Sequence, residues 1–211
     1  MSLLLGPDIE PVRRLAASID ANLHDIPVLP HDTGWGFGDG LERWRARAAS
    51  AGLSDAVVVA SWRPAPQPSA LNDMTLENWV EEMELPLATW SAALGAGLSC
   101  CEDGGSLVAV IERAAPLDCA GWSALTAVSD GVEALVRSLA RAAGGRDVRV
   151  NAVTTPARLG PDEPVDPAPS LATFPGSIER EVAGAVRMLL SSDAGGVTGT
   201  VIDADCGRSW R

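Results

Sequence analysis

Short, nearly continuous apolar runs alternate with longer segments of helical period along this chain, and that alternation restricts it to one fold class. The runs are Leu3-Leu5, Ile26-Leu29, Ala56-Ala60, Leu107-Ile111, Val148-Val153 and Val197-Ile202. A strand with one wet face alternates apolar and polar residues, whereas an unbroken run reads as a strand covered on both faces of a parallel sheet. Five helix candidates lie between the runs. Asp8 is placed to cap a helix through about Asn22, with Val12, Leu15 and Ile19 on one stripe. Gly40 to Ala51 carries Leu41, Trp44 and Ala48 on another. Thr75 precedes a third, in which Trp79, Met83, Leu87, Trp90 and Leu94 recur every three or four residues. Asn78 stands where a capping box puts Glu or Gln, and Pro86 predicts a kink or a break. The fourth, Trp122 to Ala143, aligns Leu125, Val128, Val132, Leu135, Val136 and Leu139, with Gly144-Gly145 as its stop. The fifth runs from Ile178 to Leu190. Strands alternating with helices predict a doubly wound, Rossmann-like α/β sheet in a single domain over 1–211. Residues 154–176 hold six prolines and read as a semi-rigid, lid-like loop.

A chain of 211 residues needs no staple to fold, since a domain of this size buries roughly 70% of its unfolded surface. The net charge of −12 repels a phosphate backbone and excludes nucleic acid. No apolar run approaches the roughly 20 residues that span a bilayer. Met1 to Leu5 meets Gly6-Pro7-Asp8 too soon for a signal peptide, so a cytoplasmic protein is expected. Cys100, Cys101, Cys119 and Cys206 show no C-x-x-C spacing, and His24 and His31 are the only histidines. Reduced thiols and no metal site are expected.

Three motifs tempt and fall short. Gly34-Trp-Gly-Phe-Gly-Asp-Gly40 has glycines at every second position without a P-loop lysine, and reads as a turn ahead of a helix. Gly121-Trp-Ser-Ala-Leu125 is not the elbow that would expose Ser123 as a nucleophile. Glu112 and Arg113 close a strand at the end where α/β sheets bind ligands, and read as a salt-bridged plug before a catalytic acid. Trp79, Trp90 and Trp122 read as core or interface.

From Asp55 onward the order of signals resembles the short-chain dehydrogenase/reductase family. Asp55-Ala-Val-Val-Val-Ala-Ser61 resembles the strand that leads to the family's Asn-Asn-Ala-Gly, and Gly105-Ser-Leu-Val-Ala-Val-Ile111 the strand before its serine. Arg149-Val-Asn-Ala-Val153, Leu189-Leu-Ser-Ser-Asp193 and Val197-Thr-Gly-Thr-Val-Ile202 complete a C-terminal signature, with Asp205 and Gly207 behind it. The resemblance implies a Rossmann-like fold, shorter at the N-terminus by about one βα unit. Either Leu3-Leu5 descends from the family's second strand, or it is the first strand and an outer unit is missing.

The departures fall on the chemistry. The chain contains no tyrosine, and all sixteen of its basic residues are arginine. By the resemblance, Trp122 replaces the tyrosine that moves the substrate proton, and an indole N–H cannot do that. Thr126 replaces the lysine, Glu112 the serine and Pro86 the helix asparagine. Ala60-Ser-Trp-Arg63 stands for Asn-Asn-Ala-Gly, and Thr155-Pro156 for the Pro-Gly turn. Losing one positioned acid costs about 10²–10⁴ in rate. The glycine-rich turn that admits a pyrophosphate is also missing, so no catalytic tetrad and no cofactor are expected.

The resemblance then implies a catalytically inactive subunit. It would assemble with and stabilise an active NAD-dependent dehydrogenase through helices about 75–97 and 122–143 and the C-terminal strand. Such a chain is similar to the silent partners of heteromeric family members, as in the hydroxyacyl-CoA dehydrogenase of anaerobic toluene (benzylsuccinate) degradation. Two other readings stay open: non-redox chemistry in the old cleft with Glu112, Arg113 or Asp118, and a small-molecule sensor closed by the Pro-rich segment.

Overall fold

The computed structural model describes residues 2–26, 45–62, 68–114, 120–156 and 177–207. Six strands form one sheet: β1 (Ser2–Gly6), β2 (Ala21–Asp25), β3 (Ser54–Val59), β4 (Cys101–Glu112), β5 (Arg149–Thr155) and β6 (Val201–Asp203). Their order is β2-β1-β3-β4-β5-β6 and every pairing is parallel. The apolar runs become its middle: Leu4, Val57, Val58, Val59, Leu107 and Val108 have no exposure. Fully burying such a side chain contributes about 1.5–3 kcal/mol, which is why both faces must be covered.

Helix α1 (Glu10–Ser18) packs on one face beside α4, which starts as a π turn (Ile178–Val182) and continues as Ala183–Leu190. The other face takes α2 and α3. Helix α2 is composite: Leu76–Trp79, a π stretch over Val80–Glu84, then Leu85–Cys100. Helix α3 spans Ser123–Ala143 and lies along α2 over β4 and β5. Residues 45–49 are also helical. Among the described residues no helix is long and apolar enough to cross a membrane.

The leucine run forms a central strand, between β2 and β3. Measured against the usual dinucleotide-fold order 3-2-1-4-5-6, β1 takes the first-strand place and the outermost strand is missing among the described residues. The sheet therefore has the geometry of the second placement.

Several local expectations are corrected. Helix α1 ends at Ser18, short of Asn22; Asp20 turns left-handed (φ 53°) and the chain re-enters the sheet. The edge strand is Ala21–Asp25, earlier than the expected Ile26-Leu29; residues 27–29 lie outside the described residues. A strand paired on one side is only half covered, so Ala-Asn-Leu-His-Asp carries no apolar run to announce it. Ile26 extends the ladder, its N–H donating to the Gly6 carbonyl at 2.9 Å. Asp8 does not cap α1: Ile9 is the N-cap with no side-chain cap, and the Asp8 carboxylate turns to Arg13 at 2.8 Å.

Pro86 neither breaks nor ends α2. A proline has no N–H for the carbonyl four residues back and its ring crowds that carbonyl, and the wider π stretch just before it relieves both. Thr75 caps as expected, accepting from the Asn78 N–H at 3.1 Å while its hydroxyl donates to Asn78 Oδ1 at 2.6 Å. Helix α3 stops at Gly144 as expected, and Gly144–Arg146 add a 3-10 turn; the left-handed residue is Asp147 (φ 55°). The last strand is shorter than its apolar run, Val201–Asp203. Gly34 to Gly40 and most of the 154–176 loop lie outside the described residues.

Two glycines of α2 make the packing testable. A Cβ at Gly97 would stand 2.7 Å from side-chain atoms of Leu107 and Val59, whereas one at Gly95 would meet nothing within 4 Å. Gly97→Ala is expected to cost about 1–3 kcal/mol by overpacking. Gly95→Ala is expected to stabilise by roughly 0.5–1 kcal/mol through helix propensity. Urea midpoints of the two variants should move in opposite directions.

Candidate functional site

In an open α/β sheet ligands bind at the carboxyl ends of the strands where the strand order reverses. Here that point lies between β1 and β3, and the residues around it are the Gly6-Pro7-Asp8 turn and Ala60-Ser61-Trp62. A dinucleotide needs free backbone N–H groups at this turn and room for its pyrophosphate. The N–H groups of the turn are missing or already engaged. Pro7 has no N–H, Asp8 N–H donates to Asp25 Oδ1 at 3.0 Å, and Ile9 N–H donates to the Pro7 carbonyl at 2.8 Å. The carboxylates of Asp8 and Glu10 stand at the α1 N-terminus, and Pro11 removes one more donor. Gly6 serves the sheet: a Cβ there would sit 2.7 Å from the Ala60 carbonyl oxygen.

Asp25 is a residue the sequence reading passed over. An acid about 20 positions after the glycine turn, at the end of the second strand, holds the ribose in dinucleotide folds. Asp25 has that place and spacing from Gly6. Its oxygens are spent within the chain, Oδ1 on Asp8 N–H and Oδ2 on Arg47 at 3.0 Å. The nicotinamide cofactor implied by the fold does not fit the residues present.

Trp62 closes the next part of the crevice. It is 2% exposed, belongs to the core, and its indole N–H donates to the Val110 carbonyl at 2.6 Å. It sits where the family's Asn-Asn-Ala-Gly would keep small residues.

The four tetrad positions fall at the same end of the sheet. Glu112 is the last residue of β4 and is half-buried; Trp122 is the N-cap of α3, Thr126 lies one turn on, and Pro86 is buried in α2. Trp122 is 6% exposed. The hydroxyls of Ser123 and Thr126 are buried with no hydrogen-bond partner among the described residues, as is Glu84 Oε2 on the π stretch that packs against α3. A threonine hydroxyl has no charge to lower a neighbour's pKa, and an indole has no proton to exchange near neutral pH.

Arg113 is salt-bridged to other elements of the fold. It follows β4, its N–H donates to the Thr155 carbonyl at 2.9 Å, and its guanidinium reaches Glu133 at 2.8 Å and Asp130 at 3.4 Å, both on α3. Glu133, whose side chain is 7% exposed, also accepts from Arg137 at 2.9 Å. Asp203 on β6 stands 4.0 Å from Arg113 and accepts from the Thr154 hydroxyl at 2.6 Å. This network ties β4, α3, β5 and β6 together at the carboxyl end of the sheet.

Cys100 and Cys101 offer no nucleophile. Burial pushes the Cys101 thiol up to about 11 and raises Cys100, which donates to the Ala48 carbonyl. Thiols this basic stay protonated at neutral pH.

The fold defines a Rossmann-like α/β protein. A family model described as Enoyl-(Acyl carrier protein) reductase matches residues 45–160, more than half of the chain. The chain belongs to the short-chain dehydrogenase/reductase family. Among solved structures it is similar to a Serratia marcescens short-chain dehydrogenase/reductase, at 16% identity over 99% of this chain and 97% of that one, with TM-score 0.71. It is also similar to the Aquifex aeolicus enoyl-[acyl-carrier-protein] reductase (NADH), at 18% identity over 98% and 96%, with TM-score 0.72. No curated protein matches its sequence significantly.

Removing Arg113 should show how far the network holds this edge. Arg113→Met strands the buried Glu133 with Arg137 as its remaining partner, a loss of roughly 2–3 kcal/mol. Chemical denaturation should show that loss, and Arg113→Met combined with Glu133→Leu should recover most of it.

Proposed function

We propose that this chain is a catalytically silent member of its family that assembles with and stabilises an active NAD-dependent short-chain dehydrogenase of the hydroxyacyl-CoA type. The observation that carries this reading is the pair Trp122 and Thr126 at the proton-relay positions of a chain without a single tyrosine or lysine. The engaged N–H groups of the Gly6-Pro7-Asp8 turn and the buried Trp62 beside it support the reading, since a pyrophosphate would need free backbone donors there. Helices α2 and α3, side by side on one face, and the short edge strand β6 are the docking elements. The partner binds the nicotinamide and transfers hydride, and this chain contributes by mass action, since a subunit that binds the folded partner stabilises it. The heteromeric enzyme of anaerobic toluene (benzylsuccinate) degradation is one setting for such a subunit.

Purified alone, the chain is expected to show no NAD(P)H oxidation with acyl-CoA or ketone substrates and no shift in melting temperature with NADH. Trp122→Tyr combined with Thr126→Lys is expected to leave both results unchanged, because the cofactor still has no seat. Turnover by the native chain, or a melting shift with NADH, refutes the reading. Loss of a co-purifying dehydrogenase's stability when this chain is omitted from co-expression supports it.

A further inference from the structure

The loops that follow β3 and β4 are joined by a backbone hydrogen bond: the Ser69 N–H donates to the Gly121 carbonyl at 2.9 Å. Gly121 is left-handed (φ 79°), and a Cβ there would stand 3.0 Å from the Pro68 side chain and 3.2 Å from the Ser69 nitrogen. Glycine is therefore required twice, by the backbone angle and by the close approach. The next residue, Trp122, is the N-cap of α3, and no side chain caps that helix. The tie to Ser69 thus holds the chain at the point where α3 begins.

Two observations make this tie easy to break. Little surface is hidden at it: Pro68, Ala70 and Ala120 are exposed, and Ser69 and Gly121 are half-buried. A lone hydrogen bond with little burial favours the joined state by no more than roughly tenfold. Beside it, the hydroxyls of Ser123 and Thr126 are buried without a partner among the described residues. They stand three residues apart, on one side of the first turn of α3. Water would satisfy both if that turn came loose, and each unmet hydroxyl weakens the closed arrangement by on the order of tenfold. Trp122, 6% exposed, pulls the other way. Segments balanced like this open locally while the rest of a domain stays folded. We infer that Ser69 and Gly121 form a latch on α3. When their bond breaks, the loop after β3 and the first turn of α3 release together, uncovering Trp122, Ser123 and Thr126 while the sheet stays intact. That turn lies at the carboxyl end of the sheet, the end at which α/β folds meet their ligands.

Amide hydrogen exchange, followed residue by residue by NMR on the full chain, tests the latch. The Ser69 N–H reports the tie, and the Thr126 N–H, which donates to the Trp122 carbonyl at 2.9 Å, reports the turn. Val136, fully buried in the middle of α3, reports global unfolding. In the native chain Ser69 and Thr126 are expected to share one protection factor, at least about 100-fold below that of Val136. Ser69→Pro removes the donor and Gly121→Ala crowds the joint, and each is expected to lower Thr126 protection by about tenfold with native circular dichroism. Ser123→Ala combined with Thr126→Val takes away the unmet hydroxyls and is expected to raise Ser69 protection by at least about tenfold. This reciprocity separates a latch from ordinary fraying of a helix end, which does not answer to a residue in another loop. The inference is overturned if Thr126 protection is unmoved in either latch variant that folds, or if the double variant leaves Ser69 protection unchanged or lower. It is equally overturned if Ser69 and Thr126 exchange no faster than Val136.

Discussion

A parallel sheet covered on both faces has no wet side, so its polar obligations gather at the strand ends. The end that matters here is the carboxyl edge between β1 and β3. In a ligand-binding member of such a fold, backbone donors at that edge are held open for the ligand. Closing the site means that each of those groups must find a partner within the chain. The structure shows how: Asp25 takes the Asp8 N–H, Pro7 takes the Ile9 N–H, and Trp62 fills the space beyond while donating to Val110. A small residue at Gly6 is then required by the nearness of the Ala60 carbonyl, independent of any phosphate.

The same obligation is met elsewhere by arginine, the chain's sole basic residue type. The guanidinium of Arg149 donates to the carbonyls of Leu189, Leu190, Ser191 and Ala194, closing the end of α4. Arg146 donates to the carbonyls of Leu98 and Cys101 and to Asp103, closing the end of α2. A planar fork with five donors can serve several carbonyls at once, which an ammonium point charge does less well. Lysine's absence therefore leaves these helix ends satisfied.

The fold was legible because burial on both faces writes itself as unbroken apolar sequence. Leu3-Leu5 and Leu107-Ile111 could not belong elsewhere. What escaped was whatever burial does not control. The edge strand Ala21–Asp25 carries no run because one of its sides is open, and Asp20 and Asp147 take left-handed turns without a glycine to signal them. The π stretch before Pro86 is a compromise between a proline and a long helix, visible only once both are packed. At the site, the replaced tetrad positions Pro86, Glu112, Trp122 and Thr126 could be read from spacing. The inward turn of Trp62 and the two bonds that occupy Asp25 are tertiary facts, and no local pattern encodes them.

Charge is distributed unevenly across the two faces of the sheet. On the α1 and α4 side opposite charges are interleaved: Arg13 pairs with Asp8 and Glu10, Arg14 with Glu179, and Arg180 with Glu181. The Arg14 guanidinium holds the Glu179 carboxyl below its ordinary range. That face is electrostatically closed upon itself. Helix α2 is built the other way, with acids and exposed leucines and no cation in its own run. In the isolated chain this arrangement costs little, because water and salt screen exposed charges beyond roughly 8–10 Å.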